Sequence, residues 1–270
     1  MRSLPRRLAV LVLGVLGGCA MSARPAEQTL DTVTEAAALD GGTRRAIEAA
    51  RAAPTDPALQ VEASAWLFQA ADLRLQRGAL AFLDANPAAA RGEVLAAEDH
   101  IDAAGREAIL SLCTTGLEFA DRAAGLAPKD PAVRLHQALH LSLIAWANGP
   151  ARSLMAGYGT KLVAAIDAAL ALDRDFDHGA VLRLQGRFRS KAPWPYGDMA
   201  AALAALQRAV ELASLPVNHL FLGDALAAHG ELEAARVQWQ AVITAEADAS
   251  TRWSADLLRE LARRRLAAKP

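Results

Sequence analysis

Apolar side chains recur along this chain at helical spacing. Met199, Leu203, Leu206 and Val210 are spaced four, three and four apart, and Leu232, Ala235, Trp239 and Val242 three, four and three. Leu162, Ile166 and Ala169 repeat the pattern. Such spacing puts each set on one face of a 3.6-residue helix. No segment keeps the strict alternation and Asn-Gly turn of a hairpin. The periodic stretches are punctuated at Asp40-Gly41-Gly42, Pro54-Thr55-Asp56-Pro57, Pro128-Lys129-Asp130-Pro131, Asn148-Gly149-Pro150, Pro193-Trp194-Pro195 and Gly230. Proline and glycine end helices by mechanism, the one lacking a donor and the other taking a left-handed cap. Asp56-Pro57 and Asp130-Pro131 each read as an N-cap followed by proline at the first helical position. Alanine and leucine dominate and aromatic residues are 5% of the chain, which favours helix over strand. The chain is therefore expected to be all-α, a succession of antiparallel helix pairs.

Two stretches repeat one order of residues. In 216–247 it runs Pro216, Leu222-Gly223, Leu226, a turn at Gly230, then Ala235 and Trp239. In 178–213 it runs Gly186, a turn at Gly197-Asp198, then Ala202, Leu206 and Ala209. Gly223 and Gly186 would let paired helices approach closely, with Ala235 and Ala202 as small partners and Trp239 and Leu206 filling the space beside them. This pattern resembles the tetratricopeptide repeat, a helix-turn-helix unit of about 34 residues. The resemblance implies a right-handed α-solenoid in which each pair buries its apolar face against the next. Degenerate units are expected at 131–173 and around 57–128, and Thr251–Ala268 reads as a cap closing on a basic Arg263-Arg264-Arg265 end. The extra residues at Asn148–Tyr158 and between Gly186 and Gly197 would fall at inter-helix turns on one edge.

The N-terminus changes the picture of where the protein works. Arg2, Arg6 and Arg7 precede an apolar run from Leu8 to Leu16, which ends in Leu16-Gly17-Gly18-Cys19. A positive start, a short apolar core and small residues before a cut site form a secretory signal, and the run is about half the roughly 20 residues a spanning helix needs. Leu-Gly-Gly-Cys resembles the bacterial lipobox, which implies acylation of Cys19. Residues 1–18 are then a removed leader, 19–30 a lipidated tether and 31–270 the helical repeat domain. Ala20 supplies no aspartate of the inner-membrane retention type, so the resemblance implies an outer-membrane, periplasm-facing anchor. Removing three arginines leaves 26 basic residues against 30 acidic, a formal charge of −4. That balance lacks the basic stripe of a nucleic-acid binder. Cys113 is then the one remaining thiol, and its apolar surroundings read as buried.

Chemistry-bearing patterns are sparse. His136 and His140 stand one helical turn apart without the glutamate of a His-Glu-x-x-His site, so no metal is expected. Asp173, Asp175 and Asp177 lack the glycine and glutamate of a calcium loop. No Gly-x-Ser-x-Gly elbow or phosphate loop appears, and neither catalysis nor a cofactor is expected. Trp146, Tyr158, Trp194 and Tyr196 cluster near the inserted turns with Arg187 close in sequence, and these five form the candidate ligand or partner surface. The phrases Tyr158-Gly159-Thr160-Lys161, Ala171-Leu172-Asp173-Arg174-Asp175-Phe176-Asp177-His178-Gly179-Ala180 and Pro195-Tyr196-Gly197-Asp198 resemble the T-component proteins of TRAP transporters. That resemblance implies a helical stack enclosing a small-ligand cavity and a solute-binding protein as partner. Two functions follow as expectations: a non-catalytic scaffold holding a protein or peptide in an open concave face, or a small-molecule accessory of a TRAP-type uptake system.

Overall fold

Aspartate and proline set where the helices begin. The computed structural model describes residues 32–248 and 252–269, with side chains from residue 39 onward. The expected leader, Cys19 and the expected tether lie outside them. Among the described residues there are eleven α-helices, one 3-10 turn and no strand. They are α1 (Thr32–Ala52), α2 (Pro57–Ala85), α3 (Arg91–Leu95), the 3-10 turn Ala97–His100, α4 (Ala103–Leu126), α5 (Pro131–Met155), α6 (Tyr158–Leu172), α7 (Phe176–Lys191), α8 (Met199–Leu212), α9 (Pro216–His229), α10 (Leu232–Thr244) and α11 (Ala255–Ala267). Asp56 caps α2 by accepting from the amides of Ala58 and Leu59, and Asp130 caps α5 by accepting from Ala132. Each side chain satisfies donors that the first helical turn leaves open.

Consecutive helices pair, α2 with α4, α5 with α6, α7 with α8 and α9 with α10. The small-residue contacts expected from the repeat are present. A Cβ on Gly223 would lie 2.6 Å from Trp239 Cδ1, and one on Gly186 would lie 2.5 Å from Leu206 Cγ. Trp239 and Leu206 are fully buried against these glycines. Burying a side chain of that size contributes about 2–3 kcal/mol, and the approach that allows it is available only where no side chain intervenes. One expected break is corrected. Asp40-Gly41-Gly42 does not end a helix, since α1 runs through it and Gly42 makes room for the Trp66 ring. The break expected at Asn148-Gly149-Pro150 is present, since Gly149 is non-helical (φ 74°, ψ 170°) and kinks α5 before its last turn to Met155.

The alternate helices α2, α5, α7, α9 and α11 form an inner layer. Each packs on the next, and α11 returns to pack on α2. This closure corrects the expected open concave face, because the stack curls until its first long helix meets its last. Leu80 and Leu83 of α2 share one apolar cluster with Leu220 and Phe221 of α9 and Leu258 and Leu261 of α11. A second cluster joins α2, α4, α5, α6 and α7 around Phe68, Cys113, Leu139, Trp146 and Ile166.

Gly223→Val is expected to destabilise the protein by about 1–3 kcal/mol, because the Trp239 ring has no space to retreat. Gly125→Ala, at an exposed helical position with open space around it, is expected to stabilise by about 0.5–1 kcal/mol. Thermal unfolding followed by circular dichroism reads both. A melting temperature unchanged by Gly223→Val would contradict the close approach.

Candidate functional site

Polar and charged side chains fill the junction of the inner helices. Asp224, on α9, accepts from Arg187 Nη1 of α7 at 3.1 Å and from Arg265 of α11 at 2.6 Å (Nε) and 3.0 Å (Nη2). Trp239 Nε1 donates to the same carboxylate at 3.1 Å. Arg187 Nη2 also donates to Glu98 at 2.7 Å, and Lys191 Nζ donates to that oxygen at 2.8 Å. Glu98 comes from the 3-10 turn inserted between α2 and α4. Burial drives its carboxyl upward, but the charges of Arg187 and Lys191 outweigh this and hold it down at about 2. One glutamate and one aspartate thus join the inserted turn to three inner helices.

The facing stripe of α2 is different. Gln69, Asp72 and Gln76 occupy one helical face and are buried. Gln76 Nε2 donates to Asp72 Oδ2 at 2.7 Å. Among the described residues, both amide atoms of Gln69, Asp72 Oδ1 and Gln76 Oε1 have no hydrogen-bond partner. Burial pushes the Asp72 carboxyl well above the usual range, and the Gln76 amide only partly offsets it. The charges of Glu98 and Arg183 also reach Asp72, so α2 and α7 look toward each other across the ring. A buried polar atom without a partner costs about 1–3 kcal/mol, and this stripe concentrates four of them.

The five side chains expected to make one surface do not do so. Trp146 and Arg187 are 1% and 2% exposed, which corrects their placement on a surface. Trp146 belongs to the main core, with the Arg106 guanidinium 5.0 Å from its ring, and Arg187 is held by its two carboxylates. Tyr158, Trp194 and Tyr196 do gather at one corner. The Tyr196 ring lies against Gly159, its hydroxyl is 2.9 Å from Thr160 Oγ1, and its centroid is 5.9 Å from that of Phe188. Trp194 is 90% exposed on the α7–α8 turn, and Leu154 and Met155 are 76% and 81% exposed at the end of α5.

Glu98, Asp224 and Arg265 are not among the site residues expected from the sequence. Asp224 did carry a signal, being a lone acid in the apolar helix Val217–Leu226. Arg265, part of the basic end expected on the capping helix, is 3% exposed. Glu98 had no local signal, because its partners are 89 and 93 positions away. Cys113 is buried, and burial pushes its thiol upward. His140 Nε2 lies 3.0 Å from Ser64 Oγ, with its ring edge-on to Phe68.

No protein-family model matches the chain, and no curated protein matches it. Among solved structures it is similar to a thermophilic TPR protein of Thermus thermophilus, at 15% identity over 84% of this chain and 98% of that one, with a TM-score of 0.47. It is also similar to a chain of the APC/C hetero-tetramer Cut9-Hcn1, at 14% identity over 87% of this chain and 43% of that one, with a TM-score of 0.44.

Asp224→Leu leaves two buried guanidiniums short of their carboxylate and is expected to cost about 3–5 kcal/mol. Adding Arg265→Met should return part of that loss, which a urea double-mutant cycle measures. Burial holds His136 at about 4 and His140 at about 3, below the ordinary 6.5. The unfolded chain therefore takes up protons that the fold refuses. The contribution of these two histidines to stability is expected to be complete above pH 6.5 and to fall as pH drops toward those lower values. His136→Gln should flatten part of that slope in urea midpoints measured against pH.

Proposed function

We propose that this chain is a non-catalytic scaffold, held on the periplasmic face of the outer membrane by an acylated Cys19, that engages a periplasmic protein or peptide on the outside of a closed helical ring. A groove at the seam of the ring supports the protein-partner reading. It has a volume of about 370 Å³ and lies between Leu83, Asn86, Pro87 and Val94 on one side and Ala267, Ala268 and Lys269 on the other. Buried Leu83 and Val94 give it apolar lining, and Arg264 and exposed Lys269 line it as cations. An extended segment with apolar side chains and an acidic flank fits such a site, the apolar contacts giving affinity and the charge setting register. Closure of the ring supports the same placement, since it leaves the outside as the accessible face.

A second reading has its own observation, the four unpartnered polar atoms of Gln69, Asp72 and Gln76. In it the ring is a small-molecule accessory of a TRAP-type uptake system, paired with a solute-binding protein, and the stripe contacts the solute. The two readings place the ligand on opposite sides of α2, so one experiment separates them.

A photo-crosslinking residue at Ala267, in the full acylated protein, is expected to trap one envelope protein that a crosslinker at exposed Val237 on α10 does not. Identical products at both positions would remove the groove from the reading. Native mass spectrometry of the same preparation reports on the second reading, through a small-molecule adduct that Gln69→Leu abolishes. Cys19→Ser is expected to release the protein from the membrane fraction, and retention there would end the anchor reading.

A further inference from the structure

We propose that the corner where α5 turns into α6, together with the adjoining α7–α8 turn, is a membrane-contact tip that seats Leu154, Met155 and Trp194 in the headgroup region of an anionic bilayer. The inference goes beyond the scaffold reading and does not require the acyl anchor. Helix α5 bends into α6 through 114°, and the bend puts Leu154 and Met155 at its apex. Trp194 stands on the neighbouring turn. Tyr196 ties the two turns together through Gly159 and Thr160, so the turns that carry the three exposed apolar side chains are braced against each other. Large apolar side chains this exposed on neighbouring turns are uncommon on a water-facing surface and mark an interaction site.

The chemistry around the tip selects a lipid surface as the occupant. Arg152 and Lys161 are exposed beside it, and neither forms an ion pair among the described residues. Asp198, the nearest acid on the α7–α8 turn, lies 3.7 Å from Arg189. The corner therefore shows unpaired positive charge around an apolar apex, complementary to anionic headgroups over acyl chains. Tyr158 and Tyr196 stand half-buried one layer behind, and Lys161 Nζ lies 5.5 Å from the Tyr158 ring. Rings with an apolar body and a polar tip are the residues that settle at the membrane–water boundary. A protein partner of ordinary size needs about 800 Å² of fitted surface on each side, whereas a convex tip of three side chains suits immersion. Among the described residues no single helix is long and apolar enough to cross a membrane, so the contact is with the interface.

The test uses the chain from residue 19 onward carrying Cys19→Ser, so that no acyl chain contributes. Vesicles of phosphatidylethanolamine and phosphatidylglycerol in equal parts are the probe, with pure phosphatidylcholine as comparison. Trp66, Trp146 and Trp239 are buried and Trp253 packs on Trp66, so Trp194 dominates the solvent-exposed emission. Anionic vesicles are expected to shift that emission to the blue and to co-sediment the protein, with binding weakened by added salt. Met155→Ser and Arg152→Glu, which leave Trp194 in place, are each expected to weaken binding by roughly tenfold. Unchanged melting temperatures in both variants confirm that the loss is local. No blue shift with anionic vesicles overturns the proposal. So does equal binding to phosphatidylcholine, or binding that survives both substitutions undiminished.

Discussion

A charge taken out of water must be answered by another, and the ring of inner helices is built around that demand. Asp224 receives two guanidiniums and an indole N–H, and Arg187 passes the link on to Glu98. Moving ions from water to a protein interior costs several kcal/mol each, and only good geometry with every donor used offsets it. A small rotation of α9 would leave Arg187 and Arg265 buried and short of their partner. The network therefore tolerates one relative arrangement of α7, α9 and α11, where apolar packing alone would accept several.

The same demand explains what the inserted segment between α2 and α4 does. Lengthening a turn costs little free energy, and the usual result is a loop lying over the surface. Here the extra chain turns inward. Glu98 reaches α7, while Arg91 donates through its amide to Lys269 O at 3.1 Å and through Nη2 to Ala268 O at 3.0 Å. The segment thus clasps the end of α11 and the end of α7 together. A stack of helix pairs left to itself winds open and exposes its inner face. This one is drawn shut by a seventeen-residue connection, 86–102, that repeat spacing treats as an irregularity.

What the sequence showed follows from the range over which each interaction acts. Helix starts at Asp56 and Asp130 depend on donors two or three residues away, and they were legible. Gly223 against Trp239 spans sixteen positions within one repeat, and the repeat pattern carried it. Gly41-Gly42 misled because glycine serves two ends, terminating a helix or admitting a neighbour's ring, and only the position of Trp66 decides between them. Trp146 and Arg187 misled for a related reason. An aromatic or arginine near a turn reads as surface, yet burial is set by helices far along the chain. Glu98, with partners about ninety residues away, offers nothing local to find.

The outward face follows a different rule from the inward one. Inside, the paired charges hold helices in register, and specificity comes from geometry that cannot shift. At the α5–α6 corner, cations remain unpaired and apolar side chains remain wet, so their free energy is available for a second body. The proposed tether of twelve residues, 19–30, would reach at most about 40 Å, so an acylated Cys19 would hold the ring near the bilayer and raise the effective concentration of its surface there. Weak affinity at the proposed tip would then be enough to fix how the ring is turned. A single anchor point would set only distance, whereas the proposed anchor and tip together would set orientation, and with it the direction in which the seam groove faces.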